Sequence, residues 1–261
     1  MSVLVCLAVI LFILMKFVGG EKGTRSFIAL FLNFGVTFAT MLLMGSTNNP
    51  IIITLIACTV ISCINLFYIN NVSIKSIAAF ISTMITLVLL VSVIFILVEM
   101  SMIQGFGIEE IEELNSFTLY VGIDFAKVAV CTIIMGTIGA ITDTAISISS
   151  AMNEISIHSP LIDRFGLFKS GMNVGRDILG TTTNTLYFAF IGGYLALILW
   201  FKDLSYSLGE VVNSKVFSSE IISIFCIGTG AILIIPITAW LTAYILSKNQ
   251  NITPKNKLTS E

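Results

Sequence analysis

The feature that most limits what this chain can fold into is a series of apolar runs about twenty residues long, the length that carries an α-helix across roughly 30 Å of hydrocarbon. The runs cover residues 2–18, 27–44, 51–69, 77–98, 122–147, 178–200 and 221–246, and a polar tail follows over 247–261. Together they take up nearly all of the 261 residues, so no separate globular domain fits between them. Composition agrees: 56% of residues are hydrophobic and 11% charged, with a mean hydropathy of +1.02, far outside the soluble range. The expected fold is all-α, a single polytopic transmembrane helical bundle of about seven spans. A net charge of −2 excludes a nucleic-acid partner, which would need a basic surface to neutralise phosphates.

Cys6, Cys58, Cys63, Cys131 and Cys226 all fall inside apolar runs and make no CxxC pair, so they read as small packing residues. The single histidine, His158, reads as a loop residue, and no histidine-rich metal site is expected. The first apolar run lacks a basic leader and an A-x-A cleavage site, and reads as a retained span. Lysine and arginine alternate across the connections. Lys22 and Arg25, then Lys75, then Arg164, Lys169 and Arg176, then Lys248, Lys255 and Lys257 fall on one side, against Lys202 and Lys215 on the other. Positive residues stay cytoplasmic, so the N-terminus is expected outside and the C-terminus inside. Trp200 near the outer edge, and Trp240 with Tyr244 near the inner one, fit interfacial aromatic belts.

Two spans carry groups that hydrocarbon should exclude. The fifth holds Asp124, Lys127 and Asp143; the sixth opens with Arg176 and Asp177 and continues through Thr181, Thr182, Thr183, Asn184 and Thr185. An ionisable residue in a span costs a few kcal/mol and usually marks a polar path or an internal ion pair. Gly136, Ala140, Asp143, Ser147, Ser150 and Glu154 share one face of a helix, and Asp177, Thr181, Asn184 and Phe188 share another. Gly136, Gly139 and Gly180 would let neighbouring helices approach closely. A polar path through Asp143, Thr144, Arg176, Asp177, Thr181 and Asn184 is therefore one reading. The plainer one places Asp124 and Asp143, about 28 Å apart along a helix, at the two interfaces, with Lys127 paired to Asp124 one turn on and the threonines bonded to their own helix. The acidic segment from Glu109 to Glu113 reads as a solvated face.

At these residues the chain resembles a known family. GAITDTAISISSAMNEI from Gly139 to Ile155, followed by SGMNVGRDILGTTTNTLYFAFIGG from Ser170 to Gly193, is similar to the signature of the YibE/F-like bacterial membrane proteins. The likeness covers roughly residues 115–245, with earlier spans matching by hydropathy alone. Two departures stand out: a threonine, Thr182, where many members carry an apolar residue, and no long extracytoplasmic N-terminal region. The resemblance implies a short form that works in the plasma membrane with a longer relative or as a homo-oligomer. A fainter similarity, to the last three spans of SecF and the resistance-nodulation-division superfamily, implies a proton-driven half-unit. It would make Asp143 the protonatable carboxylate and Arg176 its modulating partner, with Thr181 to Thr185 lining the path.

Three functions follow: a transporter or proton-coupled half-unit, a non-transporting subunit that stabilises or regulates a partner, and an intramembrane enzyme. The last is disfavoured, because the single histidine, His158, reads as a loop residue, and Asp143 and Asp177 qualify as an aspartyl pair by residue type alone and lie at the cytoplasmic edge. No Walker or GxGxxG loop appears, so neither nucleotide nor any other cofactor is expected.

Overall fold

A backbone surrounded by lipid must satisfy its N–H and C=O groups internally, and the chain does so by forming helices. The structure, a computed structural model, describes residues 3–45, 49–105, 107 and 124–252. Among them the elements are α1 (Val3–Met44), α2 (Pro50–Cys63) running into a π-helical turn (Ile64–Tyr68), α3 (Ile74–Ser101), α4 (Phe125–His158), α5 (Arg164–Gly193), α6 (Leu195–Asp203), α7 (Leu208–Asn213) and α8 (Lys215–Ile252), with no strand. Five of these helices, counting α2 with its π turn, are long and apolar enough to cross a membrane, and a sixth is added if α5 and α6, bent by 47°, form one span. The acidic segment Glu109–Glu113 and the tail beyond Ile252 lie outside the described residues.

The first two apolar runs are the two arms of α1. Gly20 has φ 57° and ψ −133°, a conformation open to glycine and costly for any side chain. Along a straight helix Phe12 and Phe27 would be about 22 Å apart, yet their rings meet at 5.0 Å. A Cβ on Gly23 would fall on the Met15 carbonyl. The arms therefore lie side by side, and the turn at Gly20 makes α1 a helical hairpin. It docks on α2, where the Asn33 carboxamide donates to Asn65 Oδ1 at 2.7 Å in the π turn, and Arg25 donates to Asn71.

Helices α3, α4 and α8 form the centre, with α2 laid along α4. Leu90, Ile94, Ile134, Ile141 and Ile234 are fully buried in one cluster. A second cluster, toward the C-terminal end of α4, joins Ile148 and Met152 to Leu167 of α5 and to Ile235, Ala239 and Ala243 of α8. Lipid gives helices no hydrophobic reason to associate, so small and hydroxylated residues bring their backbones together. Among the described residues the buried polar ones are accordingly all serine or threonine, including Thr86, Thr137, Thr142 and Thr238. The outward faces are apolar and open, as at Phe34, Leu42 and Val88.

One contact fixes where α5 lies. A Cβ on Gly171 would press on Met152 Sδ and Ala239, and one on Gly175 would collide with Ile235. At these glycines α5 meets α4 and α8. Gly175→Leu is expected to overpack this junction and cost about 1–3 kcal/mol or more, lowering the melting midpoint in detergent. Gly35→Leu is the matched control, since nothing lies within 4 Å of its Cβ position; equal midpoints for the two variants would mean that α5 is held some other way.

Candidate functional site

Helices α4 and α5 are sequence neighbours joined by five residues, 159–163, and they run antiparallel. Asp163 starts α5, its Oδ1 accepting from the Gly166 N–H at 3.1 Å. His158, expected in a loop, is the last residue of α4, because the polar stretch after Ser147 continues the helix. Below Ile178 the two helices are in close contact through Gly171 and Gly175. Above it they part, leaving a groove of about 430 Å³.

The α4 wall of this groove carries Gly136, Gly139, Ala140, Asp143, Thr144 and Ser147; the α5 wall carries Ile178, Thr181, Thr182, Thr185 and Leu186. Asp143 thus sits far from both ends of a 34-residue helix, its carboxyl turned to the groove and joined to no hydrogen-bond or ion-pair partner among the described residues. The surrounding hydroxyls bond into their own helices. Thr144 donates to the Ala140 carbonyl at 2.8 Å and Ser147 to the Asp143 carbonyl at 2.7 Å. Across the groove, Thr181 donates to the Ile178 carbonyl at 2.8 Å and Thr185 to the Thr181 carbonyl at 2.9 Å.

The groove brings together Asp143, Thr144 and Thr181 from the expected path, and leaves out Arg176, Asp177 and Asn184. Those three are exposed on the far side of α5. The face expected to meet α4 followed Asp177, Thr181 and Asn184, whereas the glycine contacts rotate α5 so that Ile178, Thr182 and Thr185 face α4. No ion pair joins Arg176 to Asp143; among the described residues the ion pair is Lys127–Asp124. Of the expected packing glycines, Gly136 has Ile227 of α8 3.3 Å from its Cβ position, while Gly139 and Gly180 have nothing within 4 Å. They border open space, and the close approaches fall at Gly171, Gly175 and Gly230 instead.

Asp124 and Lys127 form the N-terminal cap of α4. Asp124 Oδ1 accepts from the Ala126 and Lys127 N–H groups at 3.1 and 3.3 Å, and its Oδ2 lies 3.2 Å from Lys127 Nζ, both side chains being a third to a half exposed. At the same end of α4, a second pocket of about 290 Å³ is lined by Thr132, Ser219, Glu220 and Ser223 among others. Glu220 stands one residue before the last apolar run and so outside the spans; its three-residue spacing from Ser223 is the one signal the sequence offers for it. At the opposite end, the Arg164 guanidinium lies 4.8 Å from the Tyr244 ring centre and 5.8 Å from that of Trp240, a cation–π shelf at the edge of the apolar region. No group of three or more His, Cys, Asp or Glu able to hold a metal occurs among the described residues.

Long apolar helices flanking a partly polar groove define a helical membrane protein. The chain belongs to the YibE/F-like family: the sequence model of the YibE/F-like protein matches residues 7–248. Searches of curated proteins and of solved structures found no match.

The cap gives a test with a pH sign. The hydrogen bond from Lys127, reinforced by the two backbone donors, holds the Asp124 carboxyl below its usual range despite slight desolvation. Its contribution is fully present above the ordinary carboxylate pKa of about 3.9 and is lost as pH falls through the lowered value. Asp124→Ala is expected to remove about 1 kcal/mol, speeding hydrogen exchange at Ala126 and Lys127 roughly fivefold at neutral pH. Unchanged exchange at those amides would show that the cap is idle.

Proposed function

We propose that this protein is a half-unit of a gradient-coupled transporter in the bacterial plasma membrane, with Asp143 as the carboxyl that takes up and releases the coupling proton. The observation that carries this reading is the position of Asp143: an ionisable group inside the apolar stretch of α4, on the wall of an open groove, with no partner of opposite charge among the described residues. Leaving such a group in a span is costly, and a path for a proton explains its place.

The reading includes seven crossings with the N-terminus outside and the C-terminus cytoplasmic. Two features support that topology. The turn at Gly20 divides α1 into two arms, each long enough to cross, and the bundle gathers most of its described cations at one end, opposite Lys127 and Lys215. Arg25 bonds Asn71, and Ile74 packs in the same cluster as Met152, Leu167 and Leu246, so Arg25, Lys75, Arg164 and Lys248 lie together, as cytoplasmic residues would.

A half-unit needs another half, a second copy or a longer relative, and the outer face of α5 supports this. It exposes Asn184, inside the sixth apolar run, with no partner among the described residues, and an amide in lipid is normally covered by protein; Arg176 and Asp177 precede that run, where water can reach them. The same face favours a second reading, a non-transporting subunit that stabilises a partner without moving anything itself.

Proton movement in proteoliposomes separates the two. Under the transport reading, Asp143→Asn, nearly isosteric, lowers the flux by roughly 10²-fold or more while leaving yield and size-exclusion profile unchanged. Wild-type flux in that variant sinks the proton role; no flux in either protein, alone or with a co-purified partner, favours the stabilising subunit.

A further inference from the structure

We infer that the groove between α4 and α5 binds a small monovalent cation, through the Asp143 carboxylate and the hydroxyl oxygens around it. This deepens the coupled-transport reading, on which it rests for its physiological meaning, by naming the class of ligand the site accepts.

The inference comes from the direction of the hydroxyl protons. A serine or threonine hydroxyl has one proton to give and two lone pairs. Four of the five hydroxyls on the groove walls, those of Thr144, Ser147, Thr181 and Thr185, give that proton to a carbonyl in their own helix. Each then presents only lone pairs to the space between the helices. Thr182 alone keeps its proton uncommitted among the described residues. No lysine, arginine, histidine, asparagine or glutamine lines the groove. Its polar surface is therefore almost wholly an acceptor, suited to a positive ligand and hostile to phosphate, carboxylate or any other anion.

Charge sets the valence. An ionised carboxylate in a span is stabilised by one compensating positive charge, and with no cationic side chain beside Asp143 that charge must come from a ligand or a proton. A divalent ion would leave an unbalanced charge in an apolar environment. Carboxylate and hydroxyl oxygens are hard donors of the kind that bind hard cations. At about 430 Å³ the groove holds such an ion with several of its waters, each of which occupies about 30 Å³. Alkali cations and primary ammonium ions share this chemistry: one positive charge met by oxygen lone pairs. Either competes with the proton for the same carboxylate.

The test is the thermal stability of the purified full chain in detergent, titrated with sodium, potassium or ethylammonium chloride against choline chloride at equal ionic strength, over a range of pH. A ligand that binds only the folded protein raises its melting midpoint. The expected result is a saturable rise of several degrees with at least one of the three, fading as pH falls, abolished in Asp143→Asn and shifted to roughly tenfold higher concentration in Ser147→Ala or Thr185→Val. Asp143→Glu, which keeps the charge, should retain part of the rise. Which salt acts tells the alkali from the ammonium source. No response to any of them, or the same response in Asp143→Asn, overturns the inference. Proton flux that depends on Asp143 without any cation effect would overturn it while leaving the transport reading intact; a cation effect without flux would do the reverse.

Discussion

In hydrocarbon no water competes for a polar group, so every donor and acceptor in a span must be met by another part of the protein. The helices meet this for the backbone, and many hydroxyl side chains follow the same rule by folding back onto carbonyls one turn away, although the buried hydroxyls of Ser62, Thr83, Thr142, Thr238 and Thr242 have no such partner among the described residues. Thr86 does so in the core, donating to Ser82 at 2.9 Å, as do Thr144 and Thr185 in the groove. In the core that bond merely makes a threonine behave as a compact apolar residue. At the groove it has a second effect, because it leaves the lone pairs facing an open space beside a carboxylate.

The position of the groove depends in turn on how closely α5 can approach its neighbours. Gly171 and Gly175 hold its first half against Met152, Ala239 and Ile235; from Ile178 onward no glycine meets a partner and the helix diverges. Close contact at one end and separation at the other are two results of one distribution of small residues. The walls differ accordingly. Thr142 and Thr144 of α4 are buried against the bundle, whereas α5 from Gly180 onward is open on most of its surface.

Much of this was legible in the sequence. Length and apolarity mark the helices, and the three- and four-residue spacing of Gly136, Ala140, Asp143 and Ser147 identifies the face of α4 that the groove uses, since helical period alone fixes it. The matching face of α5 was misplaced by a fraction of a turn. Asp177, Thr181 and Asn184 share a stripe as good as that of Ile178, Thr182 and Thr185, and only the packing of Gly171 and Gly175 selects between them. The helical face is legible as far as Glu154, and only its continuation from there to His158 is hidden, because residues 148–158 are too polar to read as a span although nothing in them stops a helix. Asn33 went unnoticed for a similar reason: one amide in a long apolar run has no local pattern, and its partner Asn65 is 32 residues away.

The turn at Gly20 has a consequence for how the protein enters the bilayer. Two apolar arms that already lie against each other, Phe12 on Phe27, can leave the insertion machinery as one hairpin, with backbone bonds complete and the charged residues Glu21, Lys22 and Arg25 left at the bend. Nothing from the centre of the bundle is needed at that stage, because α1 buries only Gly23, Ala29 and Thr40. The π turn that follows α2 then offers Asn65, the partner of Asn33, as an anchor for the hairpin. The hairpin can thus be completed from its own residues, independently of the helices that carry the carboxylate.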